Sequence, residues 1–269
     1  MDVSIVIINY NTLQLVRQCI SSIEQYTTGV SYEIILVDNA STEADPAVLQ
    51  QEFPAIKLVK SPVNLGFAGG NNLGIQYATG KYILLLNSDT YLTDNAIAAT
   101  FAYMEAHPEA GVLSPRLVFP DGRHQSAAQR FPSVKYQLIE LLRLQKFLSR
   151  RKAGHVLLGA FFDHKETVPA DWVWGTYFLF RRNILDQLPG RKLDDTYFMY
   201  YEDMQWCMDI RRLGYQVHFF AGAEIVHLMG GSSGAKNEMM LKNEALFMQR
   251  NYTPGQRYWI KKLENWLRK

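Results

Sequence analysis

Tyr82-Ile83-Leu84-Leu85-Leu86-Asn87-Ser88-Asp89 is the stretch of sequence that decides the fold. Its first five residues form an apolar run that is typical of a strand buried on both faces. The polar triplet Asn87-Ser88-Asp89 follows where such a strand would reach the carboxyl edge of an open α/β sheet, and ligands of these folds bind in the crevice outside that edge. A carboxylate in that position can hold a divalent cation, and the cation can hold a diphosphate.

A second interpretation of the triplet needs no metal. Asp89 or Thr93 would be the N-cap of a helix predicted over residues 94–107, because Asp and Thr are favoured at that position. The triplet alone leaves both interpretations open.

The composition restricts the class of protein. A chain of 269 residues with 48% hydrophobic and 20% charged residues is typical of a globular protein with one large α/β domain, or with a domain and a subdomain. The net charge of +2 gives no indication of nucleic-acid binding. Cys19 and Cys207 lack metal-ligand spacing and indicate a reduced, cytoplasmic protein. We expect neither a signal peptide nor a membrane-spanning segment.

Apolar runs and helical spacings alternate regularly in the first half of the chain. Strands are predicted over residues 3–8, 33–37, 56–59 and 82–86, and helices over 13–26, 47–52 and 71–78. This alternation predicts a Rossmann-like α/β fold, with a mostly parallel central sheet flanked by helices.

The second half is less regular. Strands are predicted over residues 112–119, 172–180, 216–220 and 224–226, a helix over 202–213, an amphipathic basic segment over 136–151 and a basic, aromatic segment over 252–269. No repeat or linker divides the chain, so we expect one compact unit.

Polar residues follow the first two predicted strands, which should be neighbours in the sheet. Asn9-Tyr10-Asn11 ends the first, and Asp38-Asn39-Ala40-Ser41 ends the second. An aromatic ring beside a carboxylate could stack on a nucleobase while the carboxylate accepts its ring N–H, which fits uracil or thymine. The alternative is that these are ordinary turn and cap residues.

The segment from Asn64 to Asn72 is rich in glycine, and its first part, residues 64–70, is predicted to be a loop. Its glycine spacing matches neither a phosphate-cradling P-loop nor a dinucleotide-binding motif. Glycine still lets a backbone pass close to a ligand, or alternatively lets a helix pack tightly on a sheet.

Two further clusters carry titratable side chains. Glu202 and Asp203 follow aromatic residues at the start of a predicted helix, where the helix dipole alone would favour carboxylates. A carboxylate among aromatics and beside another carboxylate would have a raised pKa, which suits a general base. His227, a structural residue in the simpler interpretation, precedes Gly230-Gly231-Ser232-Ser233-Gly234, which could act as a lid.

With these clusters in this order, the chain resembles family 2 glycosyltransferases of the GT-A fold, and most of all their rhamnosyltransferase-like branch. The matching segments are residues 3–11, 34–41, 64–68, 71–75, 84–90, 198–203, 212–215 and 227.

The resemblance implies a role for each cluster. The nucleotide would be bound by Tyr10, Asn11, Asp38, Asn39, Asn64, Gly66, Asn72 and Ser88. Asp89, the last residue of the family's D-x-D motif, would hold Mg²⁺ or Mn²⁺ on the donor diphosphate together with His227. The donor-sugar and acceptor pocket would be lined by Trp174, Gly175 and Tyr201, and the catalytic carboxylates would be Asp203, as the base, and Glu202.

The sequence departs from the family pattern at two positions. Asn87 stands in place of the first Asp of D-x-D, as is frequent in this branch, and leaves the metal with less charge. Gln205 stands where relatives often have a second Asp, which bears on acceptor contacts and not on the base.

The implied activity is that of an inverting, metal-dependent glycosyltransferase. It would move a sugar, L-rhamnose first, from a dTDP- or UDP-linked donor to a saccharide or lipid-linked acceptor in surface polysaccharide synthesis. Residues 1–110 would form the nucleotide-binding half, 111–235 the acceptor-binding, catalytic and less regular half, and 236–269 a C-terminal helical segment.

Other functions remain to be weighed. One is transfer of another UDP- or dTDP-hexose, and one is nucleotide-sugar binding without turnover, against which the retention of Asp89 and Asp203 argues. A nucleotidyltransferase would need a glycine-rich basic loop near the first strand, and residues 9–13 contain neither Gly nor Lys.

Two basic amphipathic segments, residues 136–152 and 252–269, add an expectation about location. Such helices can lie on an anionic bilayer, which predicts a cytoplasmic protein in peripheral contact with the inner face of the membrane. The alternative is that their apolar faces pack on the core.

Overall fold

The computed structural model describes residues 1–229 and 235–267. The first half alternates as predicted, with strands β1 Val3–Asn9, β2 Tyr32–Asn39, β3 Lys57–Ser61 and β4 Tyr82–Leu86 and helices α1 Leu13–Tyr26, α2 Ala47–Glu52 and α3 Gly66–Ile75. The second half contains β5 Thr90–Leu92, α4 Ala96–Ala106, β6 Ala110–Val118, β7 His124–Gln125, β8 Ala128–Gln129, α5 Val134–Leu141, α6 Arg150–Leu157, β9 Val168–Ala170, β10 Trp172–Val173, β11 Tyr177–Arg181, α7 Glu202–Arg212, β12 Gln216–His227, α8 Ala235–Asn251 and α9 Pro254–Leu267.

Ten strands of the described chain form one sheet in the order β3-β2-β1-β4-β11-β6-β12-β5, with β7 beside β6 and β9 beside β12. Strand β1 is parallel to β2 and β4, and β12 is parallel to β6, whereas β11 is antiparallel to both of its neighbours. The predicted mostly parallel sheet flanked by helices is therefore confirmed. The strand order reverses between β1 and β4, which makes the crevice at their carboxyl ends the topological switch point.

Strand β4 is buried on both faces, as its composition predicts. Leu84 packs in one cluster with residues of α1 and α4, and Leu85 packs in the other with residues of α3 and α7. Helices thus cover both faces of the sheet and leave its edge at the ends of β1 and β4 for the polar side chains.

The glycine-rich segment is helix, not the predicted loop, because α3 begins at Gly66 instead of at residue 71. Gly66 has φ +70°, and a Cβ there would collide with the carbonyl oxygen of Phe198. A Cβ at Gly74 would lie 2.5 Å from Val6 Cγ1. Close packing of α3 on the sheet and on the segment around Phe198 therefore outweighs the low helix propensity of glycine.

The helix after β4 also begins later than predicted. Strand β5 intervenes, and Asn95 is the N-cap of α4. Neither Asp89 nor Thr93 caps this helix, so the cap interpretation of Asp89 is wrong.

Four further predictions of strands and helices need correction. The strand predicted over residues 172–180 is split into β10 and β11 by Trp174-Gly175-Thr176, and the two predicted strands within 216–226 are one strand with an irregularity between Phe220 and Glu224. The segment 136–151 is broken after α5 by a 3₁₀ turn, Leu144–Phe147, because Arg143 takes a left-handed conformation with φ 53°.

The proposed lid, Gly230 to Gly234, and the last two residues of the predicted 252–269 segment lie outside the described residues.

No helix in the described part of the chain combines the length and the apolar character needed to cross a bilayer.

Candidate active site

Two of the predicted clusters meet at the switch point between β1 and β4. The side-chain amide of Asn9, buried at the end of β1, donates to Asp38 Oδ1 over 2.8 Å and to Ser41 Oγ over 3.0 Å. Thr12 Oγ1 lies 3.1 Å from Ser88 Oγ, so a hydrogen bond spans the crevice from β1 to the triplet after β4. The register of β1 and β2 places Asn9 directly beside Asp38, as predicted for neighbouring strands.

A cavity of about 690 Å³ lies at this end of β2, with Asp38 and Glu43 among the residues that line it. Asp38 is buried, and its second oxygen accepts only a 3.3 Å hydrogen bond from the backbone N–H of Ser41. Tyr10 is 47% exposed, and Asn11 orders the adjoining turn by accepting from the backbone N–H of Thr42 over 2.8 Å. A carboxylate on the wall of a cavity of this size fits a pocket for a small planar ligand.

Asn39 at the end of β2 is hydrogen-bonded to the predicted nucleotide residues of the glycine-rich segment. Asn39 Nδ2 donates to Asn64 Oδ1 and to the carbonyl of Gly66, and Asn39 Oδ1 accepts from the backbone of Leu65. The amide of Asn39 is therefore used to fasten the end of β2 to the start of α3.

Asn72 is the member of the predicted nucleotide set that is not brought to this crevice. Its amide both donates to and accepts from the backbone of Leu193, and it lines a separate cavity of about 600 Å³ beside Lys81 and Arg182.

The two predicted metal ligands come together from distant parts of the chain. Strand β12 pairs with β5 so that His227 lies opposite Thr90, and the carbonyl of Asp89 accepts from the backbone N–H of Leu228 over 2.9 Å. As a result, His227 Nε2 lies 3.4 Å from Asp89 Oδ1.

This pair fits a divalent cation that is shared with a ligand. Within the described residues no three His, Cys, Asp or Glu side chains are grouped to hold a metal, so Asp89 and His227 would leave most of the coordination positions to other donors. Cations such as Mg²⁺ accept exactly this kind of partial site when phosphate oxygens complete the shell. Asn87 Oδ1, two residues before Asp89 in the chain, is a buried acceptor without a hydrogen-bond partner in the described residues.

A strained turn delivers Asp203 to the site. Tyr200 and Tyr201 have φ values of 69° and 76°, which non-glycine residues rarely adopt. The turn is held from outside, because Asn243 of α8 donates to the carbonyl of Met199 over 2.8 Å and to that of Tyr200 over 3.1 Å. Helix α7 begins directly after this turn and carries Glu202 and Asp203 in its first turn.

The two carboxylates differ in their surroundings. Asp203 accepts hydrogen bonds from the backbone N–H groups of Gly175 and Met204, which favour its charged form, but burial outweighs them and raises its pKa to about 6. Glu202 is buried with Oε2 unpartnered, so burial and the charge of Asp203 raise its pKa well above the ordinary value. Asp203, whose charged form is held by two backbone N–H groups, is therefore the better candidate for a general base.

The break between β10 and β11 joins the triplet Asn87-Ser88-Asp89 to this carboxylate. The carbonyl of Thr176 accepts from the backbone N–H of Asn87 over 3.0 Å, and the N–H of Gly175 donates to Asp203 over 3.0 Å. A Cβ on Gly175 would lie 3.1 Å from Phe67 and 3.4 Å from Asp203 Cβ, so only a small residue leaves this place open.

The other two residues predicted for the sugar pocket are Trp174, in this break, and Tyr201, directly before α7. Trp174 is half-buried and packs on the core, and the ring of Tyr201 lies 5.7 Å from that of Phe247 in α8.

Three residues with contacts to this site were missed by the sequence reasoning. Thr12 directly follows the Asn9-Tyr10-Asn11 cluster and was within reach of the same argument. Gln125 and Asn243 gave no signal, because each acts through a contact with a residue distant in sequence. Gln125 contacts His227, 102 positions away, and Asn243 contacts Met199, 44 positions away.

The comparisons with known proteins bear on the family and the fold. The sequence model of glycosyl transferase family 2 matches residues 4–188. An N-acetylglucosaminyl-diphospho-decaprenol L-rhamnosyltransferase of Mycobacterium tuberculosis (strain ATCC 25618 / H37Rv) is 24% identical over 225 residues, 75% of this chain and 68% of that protein.

Two solved structures share the fold at 16% identity. The mannosyltransferase PcManGT from Pyrobaculum calidifontis, in complex with GDP-Man and Mn²⁺, superposes with a TM-score of 0.63 over 98% of this chain and 69% of that one. S. aureus TarS 1-349 in complex with UDP-GlcNAc has a TM-score of 0.58 over 87% of this chain, which spans 60% of that structure's length.

Proposed function

Since this chain belongs to glycosyl transferase family 2, we propose that it moves a hexose, L-rhamnose first, from a pyrimidine nucleoside-diphosphate donor to a saccharide or lipid-linked acceptor in surface polysaccharide synthesis. One observation carries the proposal. The segment Trp174-Gly175-Thr176 is hydrogen-bonded to Asn87 at one end and to Asp203 at the other, so it links the triplet proposed to serve the diphosphate to the proposed general base.

In this proposal residues 1–110 bind the nucleotide and residues 111–235 supply the acceptor side and the base. Asp38 accepts the N3–H of uracil or thymine, and Tyr10 packs on the base. Guanine is disfavoured where it turns the edge that carries the acceptors O6 and N7 to the same carboxylate. The cavity beside Asp38 supports this assignment.

Asp203 is the general base. It takes the proton of an acceptor hydroxyl while that oxygen forms a bond to the anomeric carbon and the bond from that carbon to the diphosphate oxygen breaks, with inversion. The pKa of about 6 keeps Asp203 ionised near neutral pH and still able to accept a proton. Gly175 and Met204 hold the carboxylate in place through their N–H groups.

Asp89 and His227 are the residues that would hold Mg²⁺ or Mn²⁺. A cation bound there would offset the negative charge that develops on the leaving nucleoside diphosphate. Their 3.4 Å separation supports the assignment, as does the Mn²⁺ of the mannosyltransferase with the same fold.

The choice of rhamnose and of a lipid-linked acceptor rests on the mycobacterial relative, whose name gives both. The test is a panel of nucleotide sugars, with release of the nucleoside diphosphate measured in the presence and absence of acceptor. We expect dTDP-L-rhamnose to give the highest kcat/KM and UDP-sugars to follow. Binding of a donor without any turnover would instead favour the nucleotide-sugar-binding alternative.

We also propose a cytoplasmic location with peripheral contact at the inner face of the membrane. None of the residues of α5 is buried, and Phe147 in the following turn is 85% exposed beside basic residues. In α9, Ile260 and Leu263 are buried, whereas Trp259 and Trp266 are exposed.

A further inference from the structure

A buried glutamine lies directly behind the histidine of the proposed metal pair. Gln125 of β7 is 2% exposed, and its side chain makes two hydrogen bonds to the same residue. Its Nε2 donates to the carbonyl oxygen of His227 over 2.8 Å, and its Oε1 lies 2.7 Å from His227 Nδ1.

These two contacts determine where the imidazole carries its proton. A backbone carbonyl can only accept, so it must face the NH₂ end of the Gln125 amide, and the amide oxygen must face Nδ1. Because that oxygen can only accept as well, Nδ1 carries the hydrogen. In a neutral imidazole the other nitrogen, Nε2, then has a free lone pair, and it points to Asp89 Oδ1 at 3.4 Å.

We propose that Gln125 is a positioning residue that keeps His227 in the tautomer able to bind a divalent cation; this rests on the metal site of the proposed function. Asp89 competes with Gln125 for the one imidazole hydrogen. If Nε2 carried that hydrogen it would donate to Asp89, and the two ligands would be bonded to each other instead of open to the cation. Gln125 prevents this by accepting from Nδ1.

The fold keeps Gln125 rigid for this task. Strand β7 pairs with β6, where Gln125 lies opposite the buried Leu117, and β6 in turn is paired with β12, the strand that ends at His227. Gln125 and His227 are therefore fixed on two strands that pair with the same strand, β6, in one sheet. A glutamine held in this way orients a metal ligand from behind and contacts neither the cation nor the substrate.

The test compares three variants in the full-length chain. Gln125→Met keeps the side-chain volume but removes both hydrogen bonds. Gln125→Glu keeps an acceptor for Nδ1. Gln129→Met is the control, because Gln129 is a half-buried glutamine of neighbouring β8 that bonds to the carbonyl of Ser126 and not to His227. Thermal unfolding establishes that each variant is folded.

Two readouts separate positioning from general damage. Mn²⁺ affinity in the presence of UDP is measured by calorimetry, and we expect Gln125→Met to weaken it by roughly 10–100-fold, the usual effect of losing such a partner, while Gln125→Glu and Gln129→Met stay close to wild type. Nitrogen-15 NMR of the metal-free protein at about pH 8, above the usual titration range of histidine, should find the hydrogen of His227 on Nδ1 in wild type and on Nε2 in Gln125→Met.

The outcomes distinguish the two proposals. A wild-type protein that binds no Mn²⁺ would overturn the metal site of the proposed function, and the NMR measurement would still decide the tautomer. An Nε2–H tautomer in the wild type, or unchanged Mn²⁺ affinity in a folded Gln125→Met variant, would overturn the role of Gln125.

Discussion

The backbone N–H of Gly175 donates to Asp203 Oδ2 over 3.0 Å and fastens the first turn of α7 to the break between β10 and β11. This bond favours the ionised carboxylate while burial disfavours it, and burial prevails, so the pKa of Asp203 is raised to about 6. Glu202, one residue earlier, has no such donor to Oε2, and burial together with the charge of Asp203 raises its pKa well above the ordinary value. The backbone N–H groups around Asp203 thus distinguish two carboxylates that are neighbours in the chain.

The first prediction separates these carboxylates. Asp203→Asn should lower kcat by roughly 10²–10⁴-fold, the usual contribution of a general base, with little change in the dissociation constant of the donor. Glu202→Gln is the matched comparison, because it replaces the adjacent buried carboxyl group, which accepts no hydrogen bond at Oε2, and it should lower kcat less than Asp203→Asn does. Steady-state kinetics and donor titration check both. If Glu202→Gln is the more damaging change, the assignment of the base is wrong.

The second prediction concerns pH. Asp203 accepts a proton only when it is ionised, so kcat/KM should fall as the pH drops through about 6 and level off above that value. Burial is the main cause of the raised pKa of Asp203, and it remains when Glu202 is replaced. The midpoint in Glu202→Gln should therefore stay above the ordinary range of a carboxylate. A midpoint near 4, the ordinary range of a carboxylate, would contradict the raised pKa.

Much of the fold could be predicted from local pattern. Tyr82–Leu86 has the predicted bounds because a strand covered by helices on both faces is apolar at every position. Gly66 was assigned to a loop because glycine has low helix propensity, and only the contact with Phe198 explains why a helix begins there.

The site could be predicted only where its residues end regular elements. Asp38 and Asp89 follow apolar strands, so their place at the sheet edge was predictable. The partnership of Asp89 with His227 came from the family resemblance alone, and Gln125 was not predictable. Its position depends on the register of β6, β7 and β12, which no local periodicity encodes.

The third prediction concerns the metal. Asp89→Ala should abolish Mg²⁺- or Mn²⁺-dependent transfer, and EDTA should do the same to the wild type, because the charge on the leaving diphosphate would then be unshielded. His227→Ala should weaken the metal less, since a neutral ligand contributes less charge than a carboxylate. Thr93→Ala is the control, an exposed residue four positions from Asp89 in the same connection. Full activity in EDTA with unchanged donor binding would refute the metal site.

The fourth prediction concerns recognition of the nucleobase. In Asp38→Asn the amide oxygen can still accept from Asn9, but the NH₂ group would oppose the N3–H of uracil or thymine. We therefore expect UDP and dTDP to lose affinity relative to GDP, as measured by titration with each nucleotide. Glu43→Gln is the control, because it removes another carboxylate from the lining of the same cavity and leaves the hydrogen bond between Asn9 and Asp38 in place. Wild-type protein that binds GDP as tightly as UDP and dTDP would exclude the pyrimidine assignment.

The last prediction concerns the surface formed where α5 packs against α9. Exposed apolar side chains of these helices and of the segment that follows α5 include Leu142, Leu144, Phe147, Leu148, Trp259 and Trp266. Basic residues surround them, and Lys262 of α9 lies 5.1 Å from the ring of Trp259 and 5.4 Å from that of Trp266. Exposed aromatic rings beside ammonium groups are typical of helices that lie in the headgroup region of an anionic bilayer.

Each basic residue near an anionic surface contributes about 1 kcal/mol, so a few are enough for reversible attachment. We expect wild-type protein to co-sediment with phosphatidylserine-containing vesicles at low salt and to be released at high salt. Phe147→Ser should weaken this binding, because it removes the most exposed apolar side chain of the surface. Tyr77→Ser is the control: it replaces an exposed aromatic residue that follows α3, and it should not weaken the binding. Equal binding to neutral vesicles, or none to anionic ones at low salt, would argue that these helices serve the fold alone.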